Sequence, residues 1–488
     1  MLRMSTATTS TKASGKTFFG HPGALASLFS VEMWERFSFY GMQGLLAYYM
    51  YYSVTDGGLG MDQALALSLV GAYGGAVYLS TILGAWLSDR LYGSERVLFF
   101  SAIAIMIGHI GLALLPGYTG LVIGLIFVAV GSGGLKANAV ALVGSLYSKD
   151  DPRIDAGFSL FYMGVNIGGL LGPLLTGWLQ VAYGFHIGFA AAAVGMGIGL
   201  GIYAVGRKNL PESGRIPSNP LPAAERKRYV VIFAAVIVLI VAAFASKIVT
   251  PENLASTIAY VVIAASIIYF ALILRSKKVD ATERKQVWAF IPFYIGSAAF
   301  WALFQQQFTF IAAYSDQRLD RHLGSWEMPP SWVTSINPVF IIIFAGIFAA
   351  LWTKLGKRQP RTSMKFGLAL VVVGAAFLLF IPLESFVKTP LLALVGILLL
   401  CTFAELLLSP VGQAIATKLA PAAFGTQMIA LFFLSVSLGT TLSGVLAGYY
   451  TEGNEIPYFI AMGGTAVVLG VAMMAATPAL KKLMGPIL

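Results

Sequence analysis

Glu32, Glu35 and Arg36 stand inside the first long apolar stretch of the chain, in the run Glu32-Met33-Trp34-Glu35-Arg36-Phe37. On a helix Glu32 and Arg36 share a face, and Glu35 lies about 60° around the axis from Glu32. A membrane helix loses roughly 2.5–3.5 kcal/mol of insertion free energy for each central charge. Such a cluster is kept out of lipid by facing a protein interior or a water-filled cavity. The carboxyls can exchange protons there, and the guanidinium can bind an anion. The alternative, a helix end at the headgroups, fits their depth poorly. Lys136, in Gly131-Ser132-Gly133-Gly134-Leu135-Lys136-Ala137-Asn138, falls near the middle of a second apolar run, too deep to snorkel. It needs a counter-charge, and Glu32 and Glu35 are the nearest candidates.

Further polar residues punctuate other apolar runs. Tyr162 and Asn166 share a helical face, either as an interhelical hydrogen bond or as a cavity wall. Glu405 is the one buried acid of the later half, and having no partner in its own segment it attracts a ligand cation or is protonated. Trp301 and Gln305 share a face, and Gln305, Gln306 and Gln307 in succession suggest a wet cavity, although glutamine also serves as helix glue. His109 reads as a satisfied packing histidine, and Cys401, the single cysteine, as a small buried packing residue. Tyr48, Tyr49, Tyr51 and Tyr52 read as an interfacial aromatic belt.

The elements that hold these residues are membrane helices. Of 488 residues 58% are apolar and only 11% charged, with mean hydropathy +0.80, which excludes an ordinary soluble domain. Windows long enough to span the bilayer fall at 27–52, 63–87, 97–115, 120–146, 156–181, 187–206, 229–246, 254–274, 286–314, 332–353, 364–384, 389–417, 425–450 and 457–477. Fourteen spans place both termini on one side. With that side cytoplasmic, only Lys247, Arg318, Arg321 and Lys388 of the 32 basic residues fall in external loops, and Arg36 and Lys136 in the membrane. The positive-inside rule selects this orientation and accounts for the +11 net charge without nucleic acid. Arg226-Lys227-Arg228 and the basic run Arg275 to Lys278 are topology signals beside lipid headgroups.

The segment 207–228, with Pro211, Pro217, Pro220 and Pro222, divides the chain. The expected organisation is a cytoplasmic tail (1–26), a six-helix bundle (27–206), a cytoplasmic linker (207–228), a two-helix insertion and connection (229–285), a second six-helix bundle (286–477) and a cytoplasmic tail (478–488). A weak repeat supports it: Asp89-Arg90-Leu91-Tyr92-Gly93-Ser94-Glu95-Arg96 after the second span has a counterpart in Lys354-Leu355-Gly356-Lys357-Arg358. The first loop resembles the signature of the major facilitator superfamily, departing at Ala85 where glycine is usual. This predicts an all-α integral membrane protein with a major facilitator fold, two six-helix bundles plus two additional helices between them.

Four motifs in order carry a more specific resemblance: Glu32-x-x-Glu35-Arg36-Phe37 with Tyr40-Gly41-Met42, Lys136-x-Asn138, Phe161-Tyr162-x-x-x-Asn166-x-Gly168, and Glu405-x-x-x-Ser409-Pro410-x-Gly412. Together they are similar to the proton-dependent oligopeptide transporter family, over nearly the whole chain from Phe18-Phe19-Gly20-His21-Pro22 onward. The resemblance implies uptake of di- and tripeptides with protons, by alternating access, at a bacterial inner membrane. It implies that Arg36 and Lys136 hold the peptide carboxylate and exchange salt bridges with Glu32 and Glu35, the proton-coupling group. Glu405 would receive the ammonium group, Asn166 and Asn337 would bond the peptide backbone, and Tyr40, Tyr78 and Trp301 would line side-chain pockets, with Tyr73 an alternative to Tyr78. Gln305 and Phe432 occupy further peptide-binding positions.

The chain departs from the family at Ala137 (usually proline), Phe39 (tyrosine) and Phe432 (tryptophan). Gln43 replaces an arginine and Gln305 a glutamate, so an ion pair between the halves is expected to be a neutral pair, avoiding a lone charge. The coupling acids are then those of the first helix. No cofactor beyond the coupling proton, no metal and no catalytic residue is expected, since four scattered histidines and one cysteine make no cluster. Gly15-Lys16-Thr17 mimics the end of a phosphate loop, but Ser10 stands at its first glycine position. Expected partners are di- and tripeptides, protons and lipid, with the chain a monomer. The alternative function is a major facilitator for another small solute, such as an organic anion, nitrate or a drug.

Overall fold

The computed structural model describes residues 17–148, 151–451 and 453–485, with Lys357 described by its backbone alone. Positions 1–16 of the expected tail, with Gly15 and Lys16 of the phosphate-loop mimic, and 486–488 of the other tail lie outside the described residues.

The first half holds α1 (Ala24–Tyr51), α2 (Gln63–Leu87), α3 (Ser94–Leu114), α4 (Gly117–Ser145), α5 (Ile154–Tyr183) and α6 (Phe185–Gly206). Two further helices follow, α7 (Ala223–Ala245) and α8 (Leu254–Arg275). The later half holds α9 (Ala281–Phe304) with its continuation α10 (Phe310–Gln317), α11 (Ile336–Leu355), α12 (Thr362–Leu378) with α13 (Phe380–Leu383), α14 (Leu391–Lys418), α15 (Gly425–Ala447) and α16 (Glu455–Ala475), followed by the short α17 (Thr477–Met484). Among the described residues thirteen helices are long and apolar enough to cross a membrane. The fourteenth span is α1, whose 28 residues suffice in length and whose charges set it apart.

Within the first half α1 packs on α5 and α6, α3 on α4 and α6, and α2 on α4. Within the later half α12 packs on α16, α14 and α9, and α15 on α9. The halves meet where α2 crosses α15 and α5 crosses α11. The first crossing is close because it is made by glycine: a Cβ on Gly71 would lie 2.5 Å from Gly444 Cα. The Gly131–Gly134 run does the same within the first half, where a Cβ on Gly84 would come 2.4 Å from Gly134 Cα. The expected architecture of two six-helix bundles with two added helices is thus the observed one. Of the added pair, α8 packs against α15 and α2, whereas α7 buries none of its residues.

Two expected spans are not continuous helices. The span expected at 286–314 breaks at a 3-10 turn, Gln305–Phe308, and Thr309 leaves helical geometry at φ −120°, ψ −96°. The span expected at 332–353 opens with a 3-10 segment, Pro330–Ser335. Irregular backbone at membrane depth is tolerated only where protein or a water-filled cavity satisfies it. Helix α7 starts at Ala223, ahead of the apolar window expected from 229, because Ala223 to Arg228 already form its first turns beyond Pro222.

Candidate functional site

Glu32, Glu35 and Arg36 are buried in α1, with 4%, 0% and 3% of their surfaces exposed. Arg36 Nε donates to Glu32 Oε1 at 2.9 Å. Arg36 Nη2 lies 2.7 Å from Glu35 Oε2, an ion-pair contact off the hydrogen-bonding direction that leaves both atoms without a hydrogen bond. The other oxygen of Glu35 accepts from Ser132 Oγ of α4 at 2.7 Å. One guanidinium therefore holds two carboxylates.

Lys136 does not join them, which corrects its expected pairing with Glu32 or Glu35. Its ammonium sits over two aromatic faces, 4.9 Å from the Phe39 ring centre and 4.8 Å from that of Tyr78. It makes no ion pair among the described residues. Arg36, one turn from Glu32 on the same helix, reaches both acids first, and cation–π attraction holds the lysine instead.

A central cavity of about 160 Å³ lies between the halves. One water centre needs roughly 10–15 Å³, so there is room for a small hydrated solute. From the first half Tyr40, Gln43, Tyr78, Lys136, Tyr162 and Asn166 line it. From the later half Trp301, Gln305, Asn337 and Glu405 face it, with Gln307, Phe308 and Thr309 of the broken turn. Glu405 has a partner from another helix, since Asn337 Nδ2 donates to its Oε2 at 3.1 Å and also lies 3.1 Å from Thr402 Oγ1. Lys136 and Glu405 thus face one cavity from opposite halves, and among the described residues neither makes an ion pair.

Several expectations change in detail. Arg36 is not on the cavity wall; it lies behind Phe39 and Tyr40, whose ring centres are 5.6 Å and 6.0 Å from its guanidinium carbon. Phe432 is also off the wall, packed against Phe433 and beside Gly412. Tyr73 is buried with its hydroxyl unpartnered and stacks on Phe39, while Tyr78 is on the wall. Gln43 and Gln305 both face the cavity but do not form the expected neutral pair. Gln305 Nε2 contacts Thr440 Oγ1 at 3.3 Å, and Gln43 Oε1 is buried without a partner. Gln306 turns away and accepts from the Tyr458 hydroxyl, so one of the three glutamines is helix glue. Asn166 bonds within its own helix, to Tyr162 O at 2.9 Å, not across helices. His109 is buried with both ring nitrogens unpartnered, so it packs without being satisfied.

The tyrosines at the end of α1 are no lipid-facing belt. Tyr48 and Tyr49 are buried, and Tyr48 donates to Ala312 O at 3.1 Å. Tyr51 and Tyr52 donate to the two oxygens of Asp316 in α10, at 2.9 Å and 2.7 Å. Gln317 reaches Gln63 at 2.8 Å beside them, and Trp332 Nε1 reaches Leu174 O at 2.9 Å. These bonds tie the first half to the later half around the end of α1, a seal between the halves. Sequence reasoning missed this seal because an aromatic run at a helix end has the same composition in a belt and in a contact. It missed Ser132 too, although its place one turn before Lys136 was a usable signal.

Among the described residues no group of three or more His, Cys, Asp or Glu side chains is placed to hold a metal ion. Residues 95–465 match the sequence model of the POT family. The chain is 41% identical to an uncharacterised transporter of Bacillus subtilis, YclF, over 97% of each chain. It is 38% identical to a di-/tripeptide transporter of Lactococcus lactis subsp. cremoris, covering 97% of this chain and 98% of the relative. Its structure is similar to a peptide transporter POT crystallised with sulfate, with TM-score 0.93 and 43% identity over 96% of this chain and 97% of that one. A POT family transporter in complex with 5-aminolevulinic acid follows, with TM-score 0.90 and 36% identity over 95% and 98%.

Proposed function

We propose, because the chain belongs to the POT family, that it takes up di- and tripeptides together with protons by alternating access. The relatives named as di-/tripeptide transporters support this substrate class. The observation that carries it is that Lys136 from the first half and Glu405 from the later half line one cavity. A zwitterionic peptide presents a carboxylate and an ammonium group to those two charges. A lone anion such as nitrate would leave Glu405 unmatched, which disfavours that reading.

The carboxylate meets Lys136 first, since its ammonium is unpaired, and Arg36 then follows it past Phe39 and Tyr40. Breaking a buried ion pair by removing one partner costs about 3–5 kcal/mol. Glu32 or Glu35, deserted by Arg36, relieves that cost by binding a proton. Two cations against three carboxylates leave the empty site with one negative charge, so a zwitterion and one proton make it neutral. The driving force is about 1.4 kcal/mol per pH unit and roughly 2.3 kcal/mol per charge per 100 mV.

We place both termini in the cytoplasm of a bacterial cell, the chain in its inner membrane as a monomer surrounded by lipid, and the proton as the only coupling species. In that orientation the Asp316 seal closes the outer end. Residues 27–206 and 286–477 are then the moving halves, joined by 207–228 and the 229–285 insertion. The test is uptake of labelled dialanine into proteoliposomes under an imposed pH gradient, with unlabelled dialanine, nitrate and organic anions as competitors. Accumulation blocked by dialanine alone is expected; competition by the anions instead would overturn the assignment.

A further inference from the structure

The segment 207–228 is not a free tether. Asn219 N donates to Asp89 O and Leu221 N to Arg90 O, each at 2.9 Å, and Ser218 Oγ donates to Asp89 Oδ1 at 3.0 Å. The linker is thereby fastened to the end of α2, and α7 rises from it after Pro222. Helix α7 touches α2 through aromatic rings: Trp86 lies 5.2 Å from Tyr229 and 5.1 Å from Phe233. Above these rings opens a groove of about 530 Å³ between the α2 end, the linker and α7.

The groove is amphipathic along its length. Arg226, Tyr229, Val230 and Phe233 share one face of α7, and all four line it. Arg90 faces them from the helical turn Ser88–Tyr92 that continues α2. The guanidinium end lies beside the linker, and the Val230–Phe233 end continues into the apolar surface of α7, where Val231, Val238 and Leu239 are exposed. Glu225 lies 3.8 Å from Arg90 and offsets part of its charge. Arg226 makes no ion pair among the described residues, and the Asp89 carboxylate is engaged by Ser218.

We propose that this groove binds an anionic phospholipid, its phosphate between Arg90 and Arg226 and an acyl chain along Val230 and Phe233. A free phosphate would use the arginines but not the apolar end. A zwitterionic lipid would fill the apolar end but gain less from two guanidinium groups, because its own cation opposes them. The bound lipid supplies α7 with the packing that its protein neighbours do not.

The test uses the purified full-length chain in detergent, with phosphatidylglycerol and phosphatidylcholine of identical acyl chains, each binding event counted by native mass spectrometry. Phosphatidylglycerol should bind in preference. Each lost arginine should weaken it about five-fold, so Arg226→Gln by that factor and the Arg90→Gln/Arg226→Gln double variant by about 25-fold. Lys227→Gln removes the same charge from a different face of α7 and should change binding less than two-fold. Should the double variant not fold, Arg226→Gln against Lys227→Gln decides alone. Equal binding of the two lipids, or equal effects of Arg226→Gln and Lys227→Gln, would overturn the proposal. Displacement of the lipid by millimolar inorganic phosphate or glycerol 3-phosphate would overturn it in favour of a free-phosphate site.

Discussion

Arg36 holds Glu32 through a 2.9 Å hydrogen bond from Nε, and that single contact on one helix decides the charge pattern of the whole site. With its guanidinium shared between Glu32 and Glu35, Arg36 leaves neither first-helix acid for Lys136. The free cation of the cavity is therefore the lysine, and the held one is the arginine. In the proposed cycle, ligand binding and proton binding are separated in space and linked through the Arg36 side chain.

Glu35→Gln should uncouple the transporter. For a one-proton symport without a membrane potential, one pH unit supports about ten-fold peptide accumulation. In Glu35→Gln the ratio should fall to unity while peptide counterflow continues. The rise of uptake with external acidity should also vanish in Glu32→Gln and Glu35→Gln. Proteoliposomes with defined internal and external pH give both readouts, and accumulation that persists would remove the first-helix acids from the coupling.

Lys136→Ala should weaken a dipeptide with a free C-terminus by about ten-fold or more, the worth of a hydrogen bond to a charged group. A C-terminally amidated dipeptide has no carboxylate to lose, so its affinity should be unchanged. Competition against labelled dialanine, run with both ligands on both proteins, separates a lost contact from a damaged site. Equal weakening of the two ligands would count against the lysine–carboxylate assignment.

Glu405→Gln should show the mirror-image selectivity. Affinity for free dipeptides should fall by about ten-fold or more, and that for N-acetylated dipeptides, which are expected to bind the parent protein poorly, should stay where it was. Because Asn337 Nδ2 can still donate to the amide oxygen of the new side chain, the helix contact survives. An unaltered preference for a free amino group would place the ammonium elsewhere.

Tyr52→Phe and Asp316→Asn should each open the sealed end. The 2.7 Å bond from Tyr52 to a carboxylate is worth roughly 1.5–3 kcal/mol, so the open population should rise about ten-fold or more. Spin labels on Thr55 and His322, exposed on either side of the seal, read the opening as a longer distance between them. Cys401, the one native cysteine, is buried, which confines labelling to the introduced thiols. An unchanged distance distribution in both variants would show that the glycine crossing of α2 and α15 holds the seal by itself.

Hydropathy and charge placement made the helical architecture legible in the sequence. Lipid tolerates only long apolar helices here, and the positions of lysine and arginine order them, so spans, halves and the added pair needed no tertiary information. The cavity-facing charges Lys136 and Glu405 were legible as candidates for the same reason, because a charge in an apolar run is costly unless protein or a cavity receives it. Which charges touch was not legible. A sequence states that Arg36 and Lys136 both lie deep, but only the packing of α4 against α1 decides that Ser132, rather than Lys136, reaches Glu35. Composition likewise cannot tell a tyrosine facing lipid from Tyr52 facing Asp316, since both need an apolar ring and a polar tip. The break at Gln305–Phe308 is likewise a tertiary outcome, because those backbone groups can leave the helix only where a cavity receives them.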